Sequence, residues 1–222
     1  MGERALMIRL ADQPGPEATA RVRAVADALE AAAPPALQEV VPAYTSVLAL
    51  MDPFVSAAFD PAAFRRAVGR LARRALAGGG AAPQSGQVWR VAVRYGGEEG
   101  PDLEAVAAWA GLSPEAVVAL HGGRDYDVMA IGFRPGYPFL GFVDERIAAP
   151  RLKSPRPRVE AGSVGLAGRQ TGIYSRASPG GWQIIGRTDF PLFDPSRPSA
   201  AEACTLRVGD RVRFVAVQGK PS

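Results

Sequence analysis

Residues Gly162–Thr188, GSVGLAGRQTGIYSRASPGGWQIIGRT, constrain this chain more than any other stretch, because seven of their 27 positions are glycine. An average protein has roughly 7% glycine. The segment is not low-complexity filler: Val164, Leu166, Ile173, Trp182, Ile184 and Ile185 are spread through it and need burial. Glycines among strand formers mark tight turns, bulges or close approach of the backbone to something else. Arg169, Gln170, Tyr174, Gln183, Arg187 and Thr188 set polar chemistry beside them. Two readings follow. The stretch is a β-rich wall whose glycines let backbone and side chains surround a small polar ligand, or a twisted barrel that needs glycine only at its corners.

The N-terminal half is patterned differently. Ala5–Leu10 reads as a strand, and Glu17–Ala33 as a helix with Ala18, Val22, Val25, Ala26 and Leu29 on one face. Leu37–Val41 and Ser46–Met51 read as two strands. Asp60-Pro61 starts a second helix, an N-cap followed by proline at the first helical position. Phe64, Val68, Leu71 and Ala75 form its apolar stripe, with Arg65, Arg66, Arg70, Arg73 and Arg74 on a solvated face. This β-α-β-β-α order predicts a ferredoxin-like split unit. Ala77–Gln87, small, glycine-rich and uncharged, has the composition of a flexible connection. The expected organisation is a domain over 1–80, a linker over 81–87 and a second domain over 88–222.

That second domain opens with a strand, Val88–Tyr95, and two short helices, one capped by Asp102 and one starting at Ser113-Pro114 and ending near His121. Strand-like pieces then run to the C-terminus: Tyr126–Phe133, Val164–Ala167, Gln183–Gly186, Thr205–Val208 and Arg211–Val217, the last two joined by Gly209-Asp210 as a hairpin turn. Many short strands with few helices predict a barrel or sandwich. The fold class is therefore α+β.

Composition excludes several functions. Hydrophobic residues make up 47% and charged residues 22% of 222 residues, ordinary for a globular chain. No run approaches the roughly 18 apolar residues of a membrane helix. The start, MGERALMIRL, lacks a signal-peptide pattern, and a single cysteine, Cys204, fits a reducing compartment. A cytoplasmic location is expected. The net charge of +4 does not point to nucleic acid, because the arginines are spread among acidic residues and only Lys153 and Lys220 are lysines. Arg151–Arg158, RLKSPRPR, is the basic exception; its prolines forbid a basic helix, and it suits an anionic partner surface or a carboxylate ligand.

The chemistry is defined mostly by what the sequence lacks. It has no GxxxxGK[ST] loop, no GxGxxG and no GxSxG, and its one histidine excludes HExxH and predicts no metal site. Cys204 reads as buried filler. His121 at a helix end reads as a cap or as a functional imidazole. Gly132–Gly141, GFRPGYPFLG, is a loop of rigid prolines and flexible glycines around three aromatics, in which Arg134 is poorly explained by packing. Gln170, Tyr174 and Arg187 offer an amide, a phenol and a guanidinium, enough to hold a carboxylate and a lactam. No residue is assigned as catalytic.

Long motifs in order carry a resemblance: YTSVLALMDP at Tyr44–Pro53, GPDLEAVAAWAGLSPEAVVALH at Gly100–His121, YDVMAIGFRPGYPFLGFVD at Tyr126–Asp144, AGSVGLAGRQTGIYSRASPGGWQIIGRT at Ala161–Thr188 and LFDP at Leu192–Pro195. The chain resembles the PxpB family, the B-type subunits of 5-oxoprolinase, also described as allophanate hydrolase subunit 1 or the kinase-inhibitor KipI family. The resemblance implies a small N-terminal α/β domain followed by a cyclophilin-like β-barrel. It implies a non-autonomous subunit that works with the partner subunits PxpC and PxpA to open 5-oxo-L-proline to L-glutamate, with ATP consumed by the complex. Relatives imply two alternatives, inhibition of a sensor histidine kinase and a role in urea amidolyase. The chain departs from the family pattern at Glu160, where proline is usual, and Arg134 stands where members vary. The positions carried over as lining a site for a small carboxylate or lactam are His121, Arg134, Gln170, Tyr174, Trp182, Arg187 and Thr188.

Overall fold

The computed structural model describes residues 4–52, 60–79 and 86–218. They form two compact units, divided between Ser85 and Gly86. Most of the expected 81–87 linker lies outside the described residues.

The first unit has strands β1 (Ala5–Arg9), β2 (Leu37–Ala43) and β3 (Ser46–Met51) and helices α1 (Pro16–Ala32) and α2 (Pro61–Arg74). The antiparallel sheet runs β1-β3-β2, so β3 is central. Alternation explains its orientation: Val47, Ala49 and Met51 point inward, and Val22, Val25, Ala26 and Leu29 of α1 are buried. Asp60 caps α2, its carboxylate accepting from the Ala62 N–H at 2.8 Å, and Phe64, Val68 and Ala72 form its buried stripe.

The second unit contains β4 (Val88–Tyr95), α3 (Leu103–Ala110), α4 (Pro114–Gly122), β5 (Asp125–Ile131), β6 (Pro138–Phe142), β7 (Arg156–Val159), β8 (Ser163–Ala167), β9 (Gln170–Ile173), β10 (Ser178–Gly180), β11 (Gln183–Arg187), α5 (Ala200–Ala203) and β12 (Arg211–Ala216). Seven strands form a closed barrel in the order β5-β12-β4-β11-β8-β9-β6, with β6 pairing back onto β5. Closure removes the exposed sheet edges that short strands would otherwise present. Strands β4 and β12 are parallel, and the other neighbouring pairs in the ring are antiparallel. Val91, Val93, Val128, Leu140, Val164, Leu166, Ile173, Ile185, Val212 and Phe214 fill the core together with Leu103 and Val106 of α3 and Val117 of α4. A small antiparallel pair, β7 with β10, is a separate sheet.

Two sequence expectations change here. Thr205–Val208 is not a strand, and Gly209-Asp210 does not make a hairpin. Strand β12 instead has both neighbours already, β4 and β5. The turn survives because Asp210 serves it: its carboxylate accepts from the backbone N–H groups of Gln87 and Arg207 and from Trp89 Nε1. Conversely, Pro138–Phe142, read as part of a loop, is a barrel strand whose proline takes the first position. No single helix among the described residues is long and apolar enough to cross a membrane.

Candidate functional site

The glycine-rich stretch builds the outer face of the barrel. Gly165 and Gly172 stand opposite each other in the β8–β9 pair. Their neighbours Val164, Leu166, Thr171 and Ile173 are fully buried, so the alternation of the strands turns the two glycines outward. A Cβ on Gly165 would lie 3.1 Å from the Trp182 Cβ. One on Gly172 would lie 2.9 Å from both the Pro138 carbonyl and the Tyr137 hydroxyl, and 3.2 Å from the Trp182 ring. The space left by the missing side chains is therefore filled by the chain's own indole and phenol. Tyr137, Tyr174, Trp182, Val159, Ala167 and Ile184 form a second apolar cluster there, with Phe139 against it.

Aromatic edges hold this cluster together. Tyr137 meets Tyr174 at 5.3 Å and Trp182 at 5.9 Å between centroids, both nearly perpendicular, the edge-to-face geometry that aromatic quadrupoles favour. Burial pushes the Tyr174 phenol's pKa up, although the Trp182 backbone N–H donates to it. Tyr174 therefore remains a neutral hydroxyl. Arg151 places its guanidinium 5.8 Å from the Trp182 ring, and Arg134 lies 5.7 Å from Phe133.

A buried carboxylate fixes the Trp182 segment. Asp102 accepts from the Ile184 N–H at 2.6 Å and from Arg156 at 2.6 Å, and the Asp102 N–H donates to the Ile184 carbonyl. Arg156 also reaches the Trp182 carbonyl at 3.4 Å. Gln183 adds a bond from its amide to the Pro150 carbonyl.

His121 lies elsewhere. Its side chain is fully buried in the barrel core, stacked on Phe214 at 4.4 Å. Its Nε2 is 2.9 Å from the Thr171 hydroxyl, which itself donates to the Gly165 carbonyl, and its Nδ1 is 2.7 Å from the Tyr95 hydroxyl. Because Thr171 uses its only hydrogen on Gly165, Nε2 must donate and Nδ1 must accept. Burial pushes the imidazole pKa down to about 3, so the ring is neutral at ordinary pH.

The seven expected site residues thus separate. Tyr174, Trp182 and Arg134 belong to the outer aromatic face. His121 is inside the barrel with both ring nitrogens engaged. Gln170 begins β9, opposite Phe142 and Ala167. Arg187 ends β11, opposite Ser163 and Arg94; it helps Arg158 hold the Glu160 carboxyl below its usual range. Thr188 is buried, its hydroxyl accepting from the Phe190 N–H. The sequence reading did not single out Phe133 or Tyr137, although both lie within GFRPGYPFLG, and it took Asp102 only as a helix cap. The side chain of Asp102 does not cap α3. Arg94, nearly buried, is held by Glu99 and Asp189, which push its pKa up. No cluster of metal-ligating side chains is present among the described residues.

Residues 1–203 match the family model "Carboxyltransferase domain, subdomain C and D". The chain belongs to this family. Among its relatives is the B-type subunit of 5-oxoprolinase from Bacillus subtilis (strain 168), 40% identical over 229 residues that cover 99% of this chain and 92% of the relative. The crystal structure of TTHA0988 superposes with a TM-score of 0.79 at 41% identity, covering 98% of this chain but 40% of that one. The present chain thus spans less than half the length of TTHA0988. The Kluyveromyces lactis urea carboxylase shares the fold alone, with a TM-score of 0.68 at 15% identity over 97% of this chain and 21% of its own.

Proposed function

We propose that this chain is the B-type subunit of a 5-oxoprolinase, which opens 5-oxo-L-proline to L-glutamate with ATP hydrolysis. The observation that carries this reading is the near end-to-end match to the Bacillus subtilis relative, through both units of the chain. Chemistry agrees with a shared site. Opening an unstrained lactam demands activation of a poor electrophile, and donors aimed at the developing charge stabilise it. This chain contributes one wall of such a site. Buried Trp182 and Tyr174 stiffen that wall from within, and half-buried Arg187 offers a cation for the substrate's carboxylate. Half-buried Gln170 starts β9, and buried Thr188 follows the end of β11. His121 acts from behind, holding the Gly165 backbone through Thr171.

The partner chains, PxpC and PxpA, supply the remainder, and ATP is consumed by the assembled complex in the cytoplasm. The test is an assay of 5-oxoproline-dependent ATP hydrolysis with the chain alone and mixed with both partners. Turnover is expected only in the mixture. Turnover by the isolated chain, or none by the complete mixture, sinks the reading.

A further inference from the structure

We infer that the loop around Phe133, with Arg176 and Phe193 beside it, is the surface on which a second folded polypeptide docks: the counterpart of the part of TTHA0988 that this chain does not match. The inference rests on the subunit reading above and adds the place of contact.

Phe133 carries the argument. Its side chain is 59% exposed, yet its backbone sits at φ 64°. A bulky residue in the left-handed region is a conformational outlier that persists only where the surroundings impose it. They do so here. The Gly132 N–H bonds the Tyr137 carbonyl, the Tyr137 N–H bonds the Arg134 carbonyl, and the Arg134 N–H bonds the Gly132 carbonyl. Gly136, at φ 74°, leaves so little room that a Cβ there would lie 2.7 Å from the Leu192 carbonyl and 2.8 Å from the Phe193 Cβ. The ring is braced edge-on by Tyr137 at 5.4 Å and Tyr174 at 6.5 Å. Folding of this unit gains little by holding a strained phenyl ring out in water.

The neighbours share the same character. Arg134 stacks over Phe133, and Arg176 stacks 5.7 Å from Phe193. Neither guanidinium has a carboxylate partner among the described residues. Rings and arginines without lysine are the composition of interface centres. A small ligand needs a concave site. A braced ring standing out of the surface has the opposite shape, a knob that fills a pocket in a partner. TTHA0988 carries its matching segment inside a chain of which that segment is 40%. There the remainder is tethered; a separate counterpart must find this chain through a surface. Unpaired Arg134 and Arg176 call for carboxylates around the partner's pocket.

The experiment titrates this chain with the counterpart chain from the same genome by calorimetry, at two salt concentrations, and records melting temperatures of the isolated variants. Phe133→Gly is expected to weaken association about tenfold or more without lowering the melting temperature, because glycine takes the left-handed backbone freely. Arg176→Glu is expected to weaken it more at low salt than at high salt. Unchanged affinity in both variants overturns the docking surface and leaves the subunit reading standing. A marked loss of melting temperature in Phe133→Gly places the ring in the fold and also overturns it. No association by the unaltered chain overturns the subunit reading and the surface together.

Discussion

Tyr95 and His121 meet inside the barrel through a 2.7 Å hydrogen bond from the phenol to Nδ1. The bond turns a helix-end histidine into a core residue. It is the first link of a directed chain, Tyr95 to His121 to Thr171 to the Gly165 carbonyl, in which each donor has one acceptor. Such a chain rigidifies a core only while every member is satisfied.

Protonation of His121 breaks that chain. Its folded pKa, about 3, lies below the 6.5 of a free imidazole, so the unfolded state binds the proton first. The stability it supports is complete above pH 6.5 and is lost as pH falls from there toward 3, by about 1.4 kcal/mol per pH unit. Carboxylates add their own dependence, so the measurement is a difference. Urea midpoints taken from neutral to mildly acidic pH should fall more steeply for the natural chain than for His121→Gln. Equal slopes would show that the imidazole does not remain neutral in the fold.

Tyr95→Phe tests the same bond from the other side. It leaves Nδ1 as a buried acceptor without a donor, which costs about 1–3 kcal/mol. Chemical denaturation at neutral pH should show that loss; an unchanged midpoint would show that the phenol is dispensable.

Gly172→Ala tests the outer face. The added methyl meets the Pro138 carbonyl, the Tyr137 hydroxyl and the Trp182 ring at once. Overpacking of this kind costs about 1–3 kcal/mol. Gly132→Ala, where a Cβ meets nothing within 4 Å, should stay within about 0.5 kcal/mol of the natural chain. Thermal or urea melts of the pair decide it.

Asp102→Ala should destabilise by about 2 kcal/mol, because the buried Ile184 N–H and the Arg156 guanidinium each lose an acceptor. Hydrogen exchange at the Ile184 amide is the direct readout. Undiminished protection there would show that another group anchors the Trp182 segment.

The first unit was legible because its periods are local. The 3.6-residue stripe of α1, the Asp60 cap of α2 and the alternation of β3 need only neighbours in sequence. In the second unit the same logic found β4, β5, β8, β11 and β12 but missed β6, β7, β9 and β10. Those strands are three to five residues long, too short for periodicity to separate from loop. Glycine's meaning was equally ambiguous in sequence: Gly165 and Gly172 could have faced a ligand, and they face Trp182.

The sequence by itself determined an α+β chain, a glycine-shaped β-rich half and, through its long motifs, membership of one family. The tertiary structure decided the rest. It put His121 in the core beside Tyr95, tied Asp102 to Ile184 across 82 positions, and stood Phe133 out of the surface over Tyr137 and Tyr174. Those outcomes depend on which face of a closed barrel each strand presents and on what lies across from it. A linear pattern carries the period of a strand but not the identity of its neighbour.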